Sequence, residues 1–108
     1  MKKYNIQYLP GFKQDLRNAK NYIADTLQNP EAARSLIDEA EKAILKRSEM
    51  PSSYEPIRLL YDPKHAYYRI YVKNFVVYYV VIDDVIEIRR FLYGKRNVEM
   101  LLSDKKYK

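Results

Sequence analysis

The sequence predicts an α+β fold: an N-terminal strand, an antiparallel helical hairpin, then a three-stranded antiparallel meander. The expected product is one four-stranded sheet with helices on one face. Three observations predict it. Apolar residues alternate at the N-terminus; two helical stripes then meet at Asn29-Pro30; and three runs rich in Val, Ile, Tyr and Phe follow, separated by two-residue loops.

Lys3 to Leu9 alternates, with Tyr4, Ile6 and Tyr8 on one side, as a half-buried strand requires. Pro10-Gly11 breaks it. From Phe12 the apolar positions are Phe12, Leu16, Ala19, Ile23 and Leu27, steps of three and four that form one helical stripe. Asn29 is placed to cap a second helix, and Pro30 suits its first position, where a missing N–H costs nothing. The second stripe is Ala33, Leu36, Ile37, Ala40 and Ile44, ending near Met50-Pro51. Both helices carry polar faces of mixed charge, which reads as ordinary solvated surface.

Ile57–Tyr61 reads as a short extended piece and Asp62-Pro63-Lys64 as a turn. Ala66–Val72, Phe75–Ile82 and Val85–Tyr93 are the meander, with Lys73-Asn74 and Asp83-Asp84 as hairpin loops. Gly94 stops the last strand, and Asn97–Leu102 suggests one or two helical turns. With no linker or repeat, one domain over residues 1–108 is expected.

The loops fix the register, and the register fixes the faces. Tyr68, Ile70, Val72, Phe75, Val77, Tyr79, Val81, Ile86, Ile88 and Leu92 are expected under the helices. Tyr67, Arg69, Tyr71, Val76, Tyr78, Val80, Glu87, Arg89, Phe91 and Tyr93 are expected on an open face, where Arg69–Tyr78–Arg89 forms one row. Guanidinium forks beside aromatic planes can grip phosphates and stack bases. Lys95 and Arg96 add charge beyond the rim. Such residues also suit any half-wet pleated surface. Arg90 is a misfit: strict alternation puts it among apolar residues opposite Val77, and a bulge near the strand end would turn it outward and would also move Phe91 and Tyr93.

Composition narrows the chemistry. Twenty basic against fourteen acidic residues give +6, which favours polyanionic or acidic partners. No cysteine means no disulfide, thiol nucleophile or thiolate metal site. Two glycines exclude dinucleotide and phosphate-binding loops, and the single His65 excludes multi-histidine metal sites. His65 reads as an exposed loop residue, and Glu39 and Glu41 as solvating. No cofactor and no metal is expected. The N-terminus lacks the apolar core of a signal peptide, and Phe75–Ile82 falls far short of the roughly 20 residues that span a bilayer. A cytoplasmic protein without a membrane partner is expected.

The meander Tyr68–Tyr79, followed by Ile88-Arg89-Arg90-Phe91-Leu92-Tyr93-Gly94-Lys95-Arg96-Asn97, resembles the RelE/ParE superfamily of bacterial toxins. The step Asn29-Pro30-Glu31-Ala32-Ala33 looks like the ParE branch. The resemblance implies the toxin of a type II toxin–antitoxin pair, held by a cognate antitoxin and reaching operator DNA only through that complex. It also implies one of two targets, DNA gyrase for ParE-like members or the ribosome and its mRNA for RelE-like endoribonucleases. In the RelE-like pattern Arg69 and Arg96 occupy expected catalytic positions. Tyr71 replaces a second basic residue, Val76 an arginine, and Leu102 a terminal tyrosine. A nuclease would then use Arg69, Tyr78, Arg89 and Arg96. The ParE-like reading is favoured, with Tyr71, Arg89, Tyr93, Lys95 and Arg96 as target contacts. A non-toxic basic nucleic-acid-binding domain is the third reading.

Overall fold

The computed structural model describes residues 3–59 and 62–94. Strand β1 (Asn5–Tyr8) leads into helix α1 (Pro10–Asn21), a π-helical turn over Tyr22–Thr26, and helix α2 (Pro30–Arg47). Strands β2 (Ile57–Leu59), β3 (Asp62–Val72), β4 (Phe75–Ile82) and β5 (Val85–Tyr93) follow. They form a five-stranded sheet in the order β1-β5-β4-β3-β2. The fold class is as expected, but the sheet has five strands rather than four. The extended piece at Ile57 pairs antiparallel with β3, and Asp62-Pro63-Lys64 belongs to β3 rather than to a turn.

Local sequence explains most boundaries. Pro10 sits in the first turn of α1, so the helix begins two residues before Phe12. The Asn29 side chain accepts the Ala32 N–H at 3.1 Å, capping α2 as expected. Lys73 and Asp83, the first residues of the two hairpin loops, both take positive φ. Such loops match the twist of the strands they join only with left-handed backbone. At the end of α1 the ladder slips. Leu27 N–H donates to the Tyr22 carbonyl at 3.0 Å, five residues back. The wider turn takes Leu27 off the helical stripe, and it is 55% exposed rather than buried.

The helix-facing core joins Phe12 and Ala19 of α1 to Leu36, Ala40 and Ile44 of α2. Beneath them lie Ile70, Val72, Val77, Tyr79, Ile86, Ile88 and Phe91 of the sheet. Burying a side chain of this size contributes about 1.5–3 kcal/mol, so this layer is what fixes the hairpin to the sheet. The end of α2 is pinned by polar contacts. Arg47 Nη1 donates to the Arg69 carbonyl and to the Tyr79 hydroxyl, each at 3.0 Å. Tyr79 in turn donates to the Pro51 carbonyl at 2.7 Å, and the Arg47 guanidinium lies 3.4 Å from the Tyr54 ring centroid.

The main departure from strict alternation is in β5. Tyr79 pairs with Ile88 but Tyr78 with Arg90, so one extra residue, Arg89, is accommodated as a bulge. Beyond it the faces exchange. Phe91 packs under the helices, stacked 4.8 Å from Phe75, and Tyr93 meets Phe75 edge-on at 5.7 Å. Leu92 goes to the other face. These three residues are therefore on the sides opposite to those strict alternation gives, and Phe91 and Tyr93 have moved as a bulge near the strand end requires. Arg90 itself does not turn outward. It is buried against Asp15 of α1, with Nε donating to Oδ2 at 2.6 Å and Nη2 to Oδ1 at 3.0 Å. The Phe91 N–H also donates to Asp15 Oδ2, at 2.9 Å. The parallel β1–β5 ladder runs only from Asn5↔Val85 to Tyr8↔Ile88. Past that point Asp15 supplies an acceptor to the strand edge that β1 has left.

Candidate functional site

The second sheet face is less open than alternation implies. Tyr67, Val76, Tyr78, Val80 and Leu92 form a second buried cluster, with Ile57 of β2 packed against it. Arg69 does stand opposite Tyr78, as expected. The third member of the expected row does not join them, because Arg90, not Arg89, is paired with Tyr78. Tyr78 is 3% exposed. Burial pushes its hydroxyl pKa up and a neighbouring Tyr71 adds to this; nearby Arg69 only partly opposes it.

Arg89 has moved into a polar network along this face. Its Nη1 donates to the Tyr67 hydroxyl at 2.6 Å and to Asp62 Oδ2 at 3.1 Å. Its Nε and Nη2 both reach Glu87 Oε1, each at 2.8 Å. The Tyr67 hydroxyl donates to Asp62 Oδ2 at 3.0 Å, and His65 Nδ1 lies 2.8 and 3.0 Å from the two Asp62 oxygens. One guanidinium thus meets two carboxylates. Burial lowers the Arg89 pKa, but Tyr67 and Glu87 outweigh it and hold the group more firmly protonated than usual. Burial also raises Asp62, yet hydrogen bonds from His65 and Tyr67, with the charges of His65 and Arg89, hold its carboxyl below the ordinary range.

This network ties the start of β3 to the bulge in β5. The Arg89 N–H groups are spent on protein acceptors, and its charge is neutralised locally. His65 is in a strand and partnered, not in a loop. Asp62, His65, Tyr67 and Glu87 were not singled out together from the sequence: alternation puts Tyr67, Glu87 and Arg89 on one face, but Asp62 and His65 were read as part of a turn rather than as the start of β3. Asp62 three residues before His65 was the one local signal.

The remaining candidates separate. Tyr71 is 67% exposed and Tyr93 37%, both at the Lys73-Asn74 end of the sheet, but on opposite faces. The Arg69 guanidinium makes no hydrogen bond or ion pair with another described residue, while its carbonyl anchors Arg47. Lys95, Arg96 and Leu102, and the helical turns expected over Asn97–Leu102, lie outside the described residues. Glu39 is not merely solvated: it pairs with Lys73 at 3.0 Å. Among the described residues no cluster of acidic and histidine side chains could hold a metal ion.

The family model for the ParE toxin of the type II toxin–antitoxin system parDE matches residues 6–98. The chain belongs to the ParE toxin family. Its fold is also that of a solved structure described as the chromosomal ParDE TA system from P. aeruginosa. That match has a TM-score of 0.70 at 14% identity, covering 86% of this chain and 98% of that one. Among curated proteins none matches. ParE membership places this chain with the toxins of type II toxin–antitoxin systems. Among the described residues no helix is long and apolar enough to cross a membrane.

Proposed function

We propose that this chain is a single toxin domain that arrests growth by poisoning DNA gyrase in the cytoplasm, and that a cognate antitoxin neutralises it. The operator is then bound only through the antitoxin complex. The observation that carries the reading is the ParE match across residues 6–98. The geometry lends support. Of the four residues a nuclease would use, Tyr78 is buried with its hydroxyl pKa raised, and Arg89 is engaged by Glu87 and Asp62. General acid–base work needs an accessible group that titrates near neutrality, and Tyr78 is buried with its hydroxyl pKa raised from an already high value. Tyr71 and Tyr93, with Lys95 and Arg96, are the proposed gyrase contacts, and the ion pairs of Arg89 tie β5 to the start of β3.

The test is a supercoiled-plasmid cleavage assay with purified gyrase and the purified chain. Accumulation of linear, gyrase-linked DNA is expected, and none forming at saturating protein would sink the proposal. Brief induction in a bacterial host should stop thymidine incorporation before amino-acid incorporation. The reverse order would favour a ribosome-dependent endoribonuclease. One observation supports that second reading: Arg69 has a guanidinium unengaged by other described residues. In that case Arg69→Ala and Arg96→Ala should each abolish cleavage in a folded protein.

A further inference from the structure

Helix α1 has a surface that its sequence conceals. Its charged residues are Lys13, Asp15, Arg17 and Lys20, which read as a mixed-sign helix. Asp15 is buried against Arg90 and the Phe91 N–H. The only carboxylate of α1 is therefore taken out of the solvent face, and that face is left with one sign of charge. At 3.6 residues per turn, Lys13, Arg17 and Lys20 project within about 60° of each other and span about 10 Å of axis. All three are exposed. None of them forms an ion pair with a described residue, although Glu41 of α2 lines the same cleft as Lys13.

The rest of the face is amide. Arg17 Nη2 donates to Gln14 Oε1 at 3.0 Å, and Gln14 Nε2 donates to Asn18 Oδ1 at 2.9 Å. The guanidinium is thus held by a neutral partner, which orders it without cancelling its charge. Rows of Lys and Arg flanked by Asn and Gln are what bind phosphate oxygens without reading bases. Single-stranded RNA recognition uses stacking platforms. No exposed ring stands among the three cations: Tyr8, beside Lys13 in the cleft, is half-buried, and Tyr22, though exposed one turn beyond Asn18, projects about 140° from Arg17 at helical spacing.

We infer that the outer face of α1 is a contact surface for the phosphate backbone of duplex DNA, independent of sequence. The contact deepens the gyrase reading, on which its biological use rests, since a gyrase poison works beside a DNA duplex. The binding itself is testable without gyrase.

The experiment measures fluorescence anisotropy of a labelled 20-bp random duplex with the full chain between 50 and 200 mM salt. Three phosphate contacts predict a log–log salt slope steeper by about 2.7, hence about 40-fold weakening over that range from these contacts. Lys13→Gln/Arg17→Gln/Lys20→Gln should remove that part of the slope, and Arg17→Gln alone about 0.9 of it. Circular dichroism confirms folding, and the single variant serves if the triple does not fold. The control Arg34→Gln/Lys42→Gln/Lys46→Gln removes equal charge from α2 and should leave the slope nearly intact. Equal losses in both triples would reduce the effect to net charge and overturn the inference. So would an unchanged slope in the α1 triple, or tighter α1-dependent binding of a 20-nucleotide RNA strand. Duplex binding through α1 without gyrase cleavage would refute only the gyrase reading; cleavage without duplex binding would refute only this inference.

Discussion

Replacing Asp15 by alanine removes the acceptor of three hydrogen bonds, at 2.6, 2.9 and 3.0 Å, in a buried setting. Removing one partner of a buried ion pair costs about 3–5 kcal/mol, because the other charge keeps its desolvation cost and loses its counter-charge. The Phe91 N–H loses its acceptor too, and a buried unsatisfied donor costs about 1–3 kcal/mol. These losses overlap, so about 3–5 kcal/mol is the expected total. With a urea m-value of about 2 kcal/mol/M, the unfolding midpoint should fall by roughly 1.5–2.5 M. Asp15→Asn keeps an acceptor and loses the charge, so its loss should be smaller, about 2 kcal/mol. The double variant Asp15→Leu/Arg90→Met removes both charges and should recover much of the single-variant loss, since apolar replacements of buried pairs are often neutral or better. Urea titrations followed by circular dichroism measure all three. A shift below about 0.5 M for Asp15→Ala, or a double variant no more stable than the single, would refute the reasoning.

Three further outcomes are expected. Tyr79→Phe removes a hydroxyl that donates to Pro51 and accepts from Arg47, and should cost about 1–3 kcal/mol in the same titration. Gln28, at φ 52 between the π turn and α2, is strained for an L side chain; Gln28→Gly should stabilise by up to about 1 kcal/mol, and destabilisation would contradict that strain. The depressed Asp62 pKa contributes stability that is fully present above the ordinary carboxylate value and is lost as pH falls through the folded-state value. Asp62→Asn should therefore lower stability at neutral pH and flatten its fall below about pH 4. An unchanged acid limb would show that other carboxylates set it.

Features fixed by neighbouring residues were legible. Asn29-Pro30, Lys73-Asn74 and Asp83-Asp84 each specify a local backbone event, and the register from the first hairpin placed Arg69 opposite Tyr78 correctly. The bulge was legible in the misfit of Arg90, but what it serves was not, because the partner lies 75 residues away: Arg90 reaches Asp15. The misfit of Arg90 was the only trace of it, and it was read as a reason to turn outward rather than as half of a buried pair. The same error made the site look open. A Tyr-rich alternation does not say whether a face is wet, and Tyr67 and Tyr78 are buried. Expecting mixed charge on α1 failed for the same cause, since burial of Asp15 depends on the bulge.

The sheet order has a consequence for how this chain comes off the ribosome. β1 is made first, yet its only ladder partner among the described residues is β5, with Asn5 set against Val85, 80 positions later. Closing so long a loop is entropically costly and slow. Until β5 emerges, the N-terminal strand has no partner and α1 lacks Arg90 and Phe91 to rest on. For more than half of its synthesis the nascent chain thus holds a single unpaired strand and two helices with no sheet to cover. The layer that α1 and α2 cover is therefore completed only when the stretch through residue 93 is free to fold.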